Sequence, residues 1–418
     1  MERERYIIDG GRKLEGVMEV HGAKNAALPI LAASLLCDRC RLYNCPHLSD
    51  VEAACHILEH LGCRVRWEGE ALEVETGSSL CGEIPDPLMR EMRSSIVFLG
   101  AILARCRRAR LSFPGGCELG PRPIDLHLDG LRRLGAVIRE EGGCLECETP
   151  DGLHGAAITL PFPSVGATEN IMLAACAAQG ETILYNAARE PEIADLAGFL
   201  NTCGGQVELG ADGTIRIQGG RSFPGGSYRV IPDRIVTVTY LCGCAAAGGE
   251  IQLEGARPQQ LRAVIPILEQ MGCRLECRGS TIRMQRTGPL RAGGNITTMP
   301  YPGFPTDALA PVMAVAASAQ GTTVFVENIF QNRFKQAEEL ARMGADIRTE
   351  GRIAVVRGVP QLSGAQVRCT DLRGGAALVV AALSAKGRTE VQEIRHILRG
   401  YENLDRAFAR VGASIRLA

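Results

Sequence analysis

The stretch LEHLGCRVRWEG, residues 58–69, has the pattern of a polar-faced helix that ends at a glycine and continues as a short alternating strand. A glycine there can take the positive φ that ends a helix and turns the chain. The same pattern recurs at 131–143, 200–213, 268–280, 340–351 and 408–418. The shared glycines are Gly62, Gly135, Gly204, Gly272, Gly344 and Gly412, which repeat about every 70 residues. The sequence therefore predicts six copies of one unit.

Each unit also contains an apolar segment at helical spacing. These segments start near residues 26, 94, 167, 234, 306 and 371, and strands such as ETILYN and TTVFVEN follow several of them. Only the glycine-terminated helices have a charged face, so we expect the apolar helices inside and the others outside. The unit is longer than common solenoid repeats, which favours two closed α/β domains of three units each.

The boundary between the two domains is less well marked. Residues 218–229, QGGRSFPGGSYR, form the most glycine-rich stretch near the middle of the chain. The strand-like RYIIDGG near the N-terminus precedes the first apolar helix, and its pattern is compatible with either domain.

Composition indicates a globular protein whose partners are small molecules. Hydrophobic residues make up 46% of the 418 residues and the formal net charge is −1, which gives no electrostatic bias toward nucleic acid or membranes. The N-terminal MERERYIIDGG lacks the apolar core of a signal peptide, and no apolar run reaches transmembrane length. We expect a cytoplasmic protein without membrane insertion, as a monomer or weak oligomer.

The 17 cysteines do not suggest a disulfide framework, because they are scattered through apolar patterns and no export signal is present. Most are interpreted as small core residues, for example Cys55, Cys63, Cys242 and Cys244. The CGC at 242–244 lacks the spacing of a zinc pair, and His127 has no second ligand at helical or finger spacing. We expect no metal and no cofactor.

Polar and charged side chains cluster at the starts of the apolar helices. A helix N-terminus favours anions, and an arginine can pair with a phosphate or carboxylate through two bonds. Taken singly, each cation is better explained as a surface charge, and Lys24 as a solvated cap residue; their repeated placement favours a site for a multiply charged anion. The residues concerned are Lys24, Asn25, Arg93, Asp307, Asp371 and Arg373.

A second feature is the loop LSFPGGCELGPRPIDLH, residues 111–127. Its proline and glycines oppose regular structure, which makes Cys117 the cysteine least like a packing residue. Arg122 follows closely, and nearby positive charge lowers the pKa of a thiol and raises its reactivity. The stretch alone does not separate a reactive thiol from an inert loop cysteine.

Eight motifs in order carry a resemblance to a known family. They are GAKNAALPILAASLL (22–36), PGGC with RPIDLH (114–127), FPSVGATENIM (162–172), NAAREPEI (186–193), FPTD (304–307), QNRF (331–334), GAQVRCTDLR (364–373) and RGYE (399–402). In this order the chain resembles the UDP-N-acetylglucosamine 1-carboxyvinyltransferase family of enolpyruvyl transferases, over nearly its whole length.

The resemblance implies a specific fold. It implies two inside-out α/β barrel domains of three repeated units each, pseudo-threefold, with helices in the middle and a ligand cleft between the domains. Residues 22–231 would form the first domain, which carries the Cys117 loop, and residues 1–21 with 232–418 would form the second.

The resemblance also implies a reaction, the first committed step of peptidoglycan synthesis. The enolpyruvyl group of phosphoenolpyruvate moves to the 3′-hydroxyl of UDP-N-acetylglucosamine, and phosphate leaves after addition and elimination through a tetrahedral ketal. Cys117 would give a proton to the substrate methylene and react with the epoxide fosfomycin, while Asp307 would take the hydroxyl proton. Adding across an enol ether needs such an acid and base together with fixed cations.

The remaining roles follow the same match. Lys24, Arg122 and Arg399 would hold the phosphate, Asn25 the tetrahedral intermediate, and Arg333 and Arg373 the carboxylate, with Arg93 as a further cation. Asp371 would orient Arg373 or relay a proton. The residues implied for UDP-N-acetylglucosamine are Arg93, Arg122, Pro123, Ile124, Asp125, Leu126, His127, Ser164, Val165, Gly166, Asp307 and Ile329.

Some positions depart from the family pattern. Val236 and Val238 replace a usual glutamate and glycine, Leu309 and Pro311 replace glutamines, and Leu398 replaces an acidic residue. They leave two alternatives open: a divergent paralogue with weak activity, and a noncatalytic UDP-sugar-binding protein. The related shikimate 3-phosphate enzymes share the chemistry but lack the loop cysteine, so PGGCELGPRPIDLH argues against them.

Overall fold

The computed structural model describes residues 4–92, 94–112 and 124–418. The predicted site residues Arg93, Cys117, Arg122 and Pro123 lie outside these ranges. The described residues form two compact units, one of 22–112 and 124–231 without residue 93, the other of 4–21 and 232–418. The functional domains assigned above, and the cleft expected between them, stay predictions.

The described residues contain short strands and helices that alternate along the chain. The strands are β1 Tyr6–Asp9, β2 Leu14–Glu19, β3 Arg39–Tyr43, β4 Cys63–Glu68, β5 Ala71–Thr76, β6 Glu83–Ile84, β7 Arg108–Ser112, β8 Val137–Glu141, β9 Cys144–Glu148, β10 Ala157–Thr159, β11 Glu181–Tyr185, β12 Val207–Leu209, β13 Ile215–Gln218, β14 Gly225–Arg229, β15 Gly249–Glu254, β16 Arg274–Arg278, β17 Thr281–Arg286, β18 Asn295–Thr297, β19 Thr322–Val326, β20 Asp346–Glu350, β21 Ile353–Arg357, β22 Gln366–Arg368, β23 Arg388–Gln392 and β24 Ser414–Leu417.

The α-helices are α1 Lys24–Ser34, α2 Ser49–His60, α3 Asp86–Glu91, α4 Phe98–Cys106, α5 Asp125–Arg133, α6 Val165–Ala175, α7 Pro191–Thr202, α8 Arg234–Ala247, α9 Ile265–Gln270, α10 Thr306–Ala316, α11 Gln336–Arg342, α12 Leu372–Ser384, α13 Arg395–Leu398 and α14 Leu404–Arg410. Short 3-10 helices lie at Ser95–Val97 and Pro258–Leu261. Across the described ranges, no helix has both the length and the hydropathy needed to cross a bilayer.

The strands form six four-stranded sheets among the described residues, and all six share one plan. The first strand pairs in parallel with the second, and the third pairs antiparallel with the second and the fourth, as in β18-β19-β21-β20. The same plan holds for β6-β7-β9-β8 and β10-β11-β13-β12. The prediction of six copies of one α/β unit is confirmed.

Segments distant in sequence complete the other three sheets. β14 joins the sheet of β3, with Gly226 opposite Cys40, so residues 225–229 of the glycine-rich stretch are a strand of the first repeat. β2 joins the sheet of β15, and β1 lies between β23 and β24. The N-terminal strands therefore belong to the unit that contains 232–418.

The six repeat glycines end the helices as the sequence predicts. Their φ angles are all positive, from 89° at Gly344 to 112° at Gly204. Each lies two residues beyond the end of a helix and shortly before a strand; Gly344 follows α11 and precedes β20. A side chain with a Cβ is strained in this backbone conformation, which explains the choice of glycine.

The apolar helices lie in the interior, as predicted. α8, α10 and α12 pack against one another and against their own sheets, whereas α9, α11 and α14 contact mainly outer strands. In the other unit, α4 packs against both α1 and α6. Each unit has its own hydrophobic core.

Val236, Val238 and Leu309 are completely buried in the core of the 232–418 unit, so these departures place apolar side chains in an apolar environment.

Candidate active site

A carboxylate held by two arginines lies at the start of α10. Asp307 is the second residue of this helix. Its Oδ1 lies 2.5 Å from Nη2 of Arg333, and its Oδ2 lies 3.1 Å from Nε and 3.0 Å from Nη2 of Arg373. The arginine side chains are only 4% and 2% exposed, whereas that of Asp307 is 25% exposed. The carboxylate is therefore the part of this cluster that solvent can reach.

Asp371 fixes the neighbouring helix end. Its Oδ1 accepts hydrogen bonds from the backbone N–H groups of Arg373, at 3.1 Å, and Gly374, at 2.9 Å, and so caps α12. Its Oδ2 and the Nε of Arg333 are buried and have no hydrogen-bond partner among the described residues. Buried polar groups in folded proteins are nearly always paired, so both atoms are candidates for contact with a bound ligand or water.

The ring of Tyr401 lies against the guanidinium group of Arg373. The guanidinium carbon lies 5.3 Å from the centre of the Tyr401 ring, and the phenol oxygen lies 2.8 Å from Oγ1 of Thr239 on α8. Burial raises the pKa of Tyr401, which keeps the phenol neutral at physiological pH. Arg399, two residues earlier, is partly exposed at the end of α13, which packs against α12. The starts of α10 and α12 and the RGYE segment thus meet within this unit.

Glu327 organises the loop beside Asp307. This carboxylate is 1% exposed and accepts hydrogen bonds from the hydroxyls of Thr298, at 2.9 Å, and Thr306, at 2.8 Å. It also accepts from the backbone N–H groups of Ile329, at 2.6 Å, and Phe330, at 3.0 Å. One buried acid therefore fixes both the loop of Ile329 and the first residue of α10.

In the other unit, Lys24 forms a buried ion pair. It is the first residue of α1, and its Nζ lies 2.6 Å from Oδ2 of Asp50, at the start of α2. The side chains are 10% and 2% exposed. Asn25, the next residue, is exposed, unlike the rest of the helix. The reading of Lys24 as a solvated cap residue is therefore wrong, because the ammonium group is held in place by a buried carboxylate.

His127 lies against the start of α6. Its Nδ1 is 2.7 Å from Nδ2 of Asn170. The same Nδ2 donates to the carbonyl of Ile96, and the Oδ1 of Asn170 accepts from the N–H of Gly100. A Cβ added to Gly166 would lie 2.9 Å from Cε1 of His127, so the absence of a side chain allows this close approach.

The other residues predicted at this place surround the contact. Ser164 caps α6 by accepting from the N–H of Ala167 at 3.4 Å, and Val165 and Gly166 follow it as half-buried residues. Asp125 is exposed at the start of α5, flanked by the half-buried Ile124 and Leu126. The structure thus brings residues 124–127 and 164–167 together through His127 and Gly166.

Comparison with known proteins identifies the family. A family model described as EPSP synthase (3-phosphoshikimate 1-carboxyvinyltransferase) matches residues 8–408. The UDP-N-acetylglucosamine 1-carboxyvinyltransferase 2 of Caldanaerobacter subterraneus subsp. tengcongensis is 48% identical, over 98% of this chain and 99% of the relative. The UDP-N-acetylglucosamine 1-carboxyvinyltransferase 1 of Symbiobacterium thermophilum is also 48% identical, over 99% and 95%. The chain belongs to the UDP-N-acetylglucosamine 1-carboxyvinyltransferase family.

A solved structure agrees with this membership of the UDP-N-acetylglucosamine 1-carboxyvinyltransferase family. The enolpyruvyl transferase NikO from Streptomyces tendae matches with a TM-score of 0.89 and 25% identity, over 100% of this chain and 99% of that chain. The fold class predicted from the repeats and from the resemblance is confirmed. The roles of individual site residues stay predictions.

Four buried residues that contact the predicted site residues were not predicted from the sequence. Asp50, Asn170, Glu327 and Tyr401 are buried polar partners. A carboxylate or amide inside an apolar pattern was the available signal, as in TENIM and VFVEN. The sequence could not say which distant residue each would contact.

Proposed function

We propose that this protein transfers the enolpyruvyl group of phosphoenolpyruvate to the 3′-hydroxyl of UDP-N-acetylglucosamine, with release of phosphate, as a cytoplasmic enzyme of peptidoglycan synthesis. Membership of the UDP-N-acetylglucosamine 1-carboxyvinyltransferase family supports this choice of acceptor. We further propose that residues of both units take part in the reaction. We also propose that the protein acts as a monomer or weak oligomer.

The observation that carries the proposal is the cluster at the starts of α10 and α12. Asp307 is exposed enough to meet a substrate, while two nearly buried guanidiniums hold its oxygens. Arg333 keeps a buried Nε without an acceptor among the described residues. A substrate carboxylate would supply that acceptor through a charge-assisted bond.

The proposed role of Asp307 depends on competition between its carboxylate and the substrate carboxylate for the same two arginines. When the carboxylate of phosphoenolpyruvate binds Arg333 and Arg373, it shares the positive charge that otherwise stabilises ionised Asp307. Asp307 then becomes a stronger base for the 3′-hydroxyl proton. Asp371 accepts a hydrogen bond from the backbone N–H of Arg373, and the Tyr401 ring lies against its guanidinium group, so both hold Arg373 in position.

The atoms of the reaction balance in two steps. In the first, the 3′-oxygen bonds to C2 of phosphoenolpyruvate, its proton passes to Asp307, and Cys117 gives a proton to C3. In the second, C3 returns a proton to the Cys117 thiolate, the double bond between C2 and C3 re-forms, and the bond from C2 to the phosphate oxygen breaks so that phosphate leaves with the electron pair. Lys24, Asn25, Arg93, Arg122 and Arg399 are assigned to the phosphate and the tetrahedral intermediate, where fixed cations lower the barrier.

The sugar nucleotide is assigned to the contact between α5 and α6. Ser164, Val165 and Gly166 offer the N-terminus of α6, which favours the pyrophosphate, and His127 packs on Gly166. Pro123, Ile124, Asp125 and Leu126 would line the uridine side, and Ile329 with Asp307 the sugar.

The test is phosphate release from phosphoenolpyruvate with either of two acceptors, UDP-N-acetylglucosamine or shikimate 3-phosphate. We expect phosphate release when UDP-N-acetylglucosamine is the acceptor and none when shikimate 3-phosphate is the acceptor. Asp307→Asn should lower kcat by about 100-fold or more, since it removes a base without changing shape. Asp346→Asn, which alters a surface pair with Arg357, is the matched control and should keep full activity. Release only with shikimate 3-phosphate, or with neither acceptor, would refute the proposal.

A further inference from the structure

Three cysteine thiols lie together in the core of the 22–231 unit. Cys37, Cys40 and Cys203 are 0%, 1% and 0% exposed, and their sulfur atoms all lie within 4.8 Å of one another. Among the described residues, no other group of three or more histidine, cysteine or acidic side chains has its ligand atoms this close. The cluster takes no part in the proposed reaction.

The three cysteines come from different elements. Cys37 follows α1, Cys40 is the second residue of β3, and Cys203 directly follows α7. α1 and α7 pack against each other, so both helices end at the cluster. The C-terminus of a helix carries partial negative charge, which favours a bound cation.

Backbone groups contact two of the three sulfurs. Gly226, which lies opposite Cys40 in the sheet, donates its N–H to the sulfur of Cys40. The thiol of Cys37 donates to the carbonyl oxygen of Ala33 at 3.9 Å.

The segment CDRC at 37–40 has the CxxC spacing of many metal sites, but spacing alone does not make a site. Cys144 and Cys147 have the same spacing, yet both lie in β9. Residues three apart in a strand point to opposite faces, and accordingly Cys144 is half-buried and Cys147 fully buried. In CDRC the first cysteine lies in the bend after α1 and the second lies in β3, so strand alternation does not hold them on opposite faces.

We propose that Cys37, Cys40 and Cys203 bind one thiophilic d10 metal ion, Zn²⁺ or Cu⁺, through their three sulfur atoms. Thiolates are the protein ligands that select these ions. Each metal–sulfur bond replaces a thiol proton, which is released to solvent. Metal–sulfur bonds of about 2.3 Å place three sulfurs around one ion about 4 Å apart, which is compatible with sulfurs that all lie within 4.8 Å of one another. The ion would tie the ends of α1 and α7 to β3.

The cluster lies next to exposed residues. Asp38 and Arg39, between Cys37 and Cys40, are exposed, as is Pro224 in the neighbouring segment. The N–H of Asp38 donates to the carbonyl of Phe223 at 3.0 Å and joins these two segments.

The test uses the full-length protein, reduced and treated with a chelator, then dialysed against Zn²⁺ or, without oxygen, against Cu⁺. We expect one tightly held ion per chain, thiolate-to-metal absorption in the ultraviolet, and a higher Tm with the ion. Cys203→Ala and Cys37→Ala should lose the ion and the Tm increase. The matched control is Cys176→Ala, which removes the buried cysteine directly after α6 and should keep both.

Several outcomes would overturn the site. They are failure of the wild type to retain either ion, and equal retention by Cys203→Ala. A mass lower by two hydrogens in the reduced protein would instead show a disulfide. Because Tm and metal content are measured on each variant without substrate, these outcomes are independent of the phosphate-release assay, and failure of one proposal leaves the other standing.

Discussion

At the scale of single residues, the account depends on charges that are fixed by buried partners. Lys24 and Asp50 are the clearest case, because their ion pair is almost fully buried. Lys24→Met leaves a buried carboxylate without its ammonium counter-ion and should reduce the free energy of unfolding by about 3 kcal/mol. The double variant Lys24→Met/Asp50→Asn should recover part of that loss, since it removes the buried negative charge as well.

Activity should not follow stability in this cycle. Both variants lack the cation assigned to the phosphate, so kcat/KM for phosphoenolpyruvate should fall by about 100-fold or more in each. Urea unfolding and phosphate release measure the two effects separately. Lys386→Met, which removes an exposed lysine, is the control and should change neither. Recovery of activity in the double variant would show that Lys24 has only a structural role.

Thiol reactivity gives a second prediction at this scale. Fosfomycin with UDP-N-acetylglucosamine should alkylate Cys117 selectively, as found by peptide mass mapping. The buried thiols compete poorly, because burial raises the pKa of Cys147, Cys176 and Cys273 to about 12 and leaves almost no thiolate. Cys81→Ser and Cys277→Ser remove exposed thiols and should leave labelling unchanged. Labelling at Cys81 or Cys277 in place of Cys117 would reject its assignment.

Single residues also show what the sequence could not predict. Asp307, Asp371 and Arg373 could be proposed because helix starts are visible in sequence and because the motifs resemble a family. Their pairing could not, since Asp307 is 66 positions from Arg373 and nothing local specifies that contact. The three-cysteine cluster was missed for the same reason: Cys203 is far in sequence from CDRC.

At the scale of elements, the glycine that follows each outer helix should matter through backbone conformation. Gly344 has a φ of 89°, and an added Cβ would meet nothing within 4 Å. Gly344→Ala should therefore lower the free energy of unfolding by about 1–2 kcal/mol, the cost of a left-handed backbone for an L-residue.

Gly288 is the matched control for this prediction. An added Cβ would also meet nothing there, and its φ is outside the left-handed range. Gly288→Ala should leave stability unchanged or raise it by up to about 1 kcal/mol. Urea unfolding of both variants makes the comparison. Equal losses would contradict the assignment of strain to Gly344.

The elements were largely predictable because their signals are local. Apolar runs and positive-φ glycines locate α8, α10 and α12 and the ends of α2, α5 and α11 without knowledge of tertiary structure. Strand partners were not predictable where the chain closes on itself. Residues 225–229 look like a linker in composition, and only pairing with β3 makes them a strand.

At the scale of the whole molecule, the N-terminal segment completes the unit that contains 232–418. β1 is an inner strand between β23 and β24, and Tyr6 and Ile8 are 1% and 0% exposed. Deleting residues 1–12 removes this strand and leaves β24 without its ladder partner. We expect this core to unfold, with loss of circular dichroism and of enolpyruvyl transfer.

The other core should remain, and Trp67 reports on it. Trp67 is the single tryptophan of the chain, and its ring stacks on His47 at 3.9 Å within the 22–231 unit. Its emission should be unchanged by the deletion. Adding a peptide of residues 1–21 should restore part of the lost circular dichroism, and a scrambled peptide should not. Loss of the Trp67 signal on deletion would contradict two separate cores.

The bond that the protein makes defines its reaction. The most direct measurement is the NMR spectrum of the product formed from ¹³C-labelled phosphoenolpyruvate and UDP-N-acetylglucosamine. We expect an enol ether on the 3′-oxygen of the sugar, formed together with an equal amount of inorganic phosphate. An enolpyruvyl group on another hydroxyl, or phosphate released without any coupled product, would contradict it.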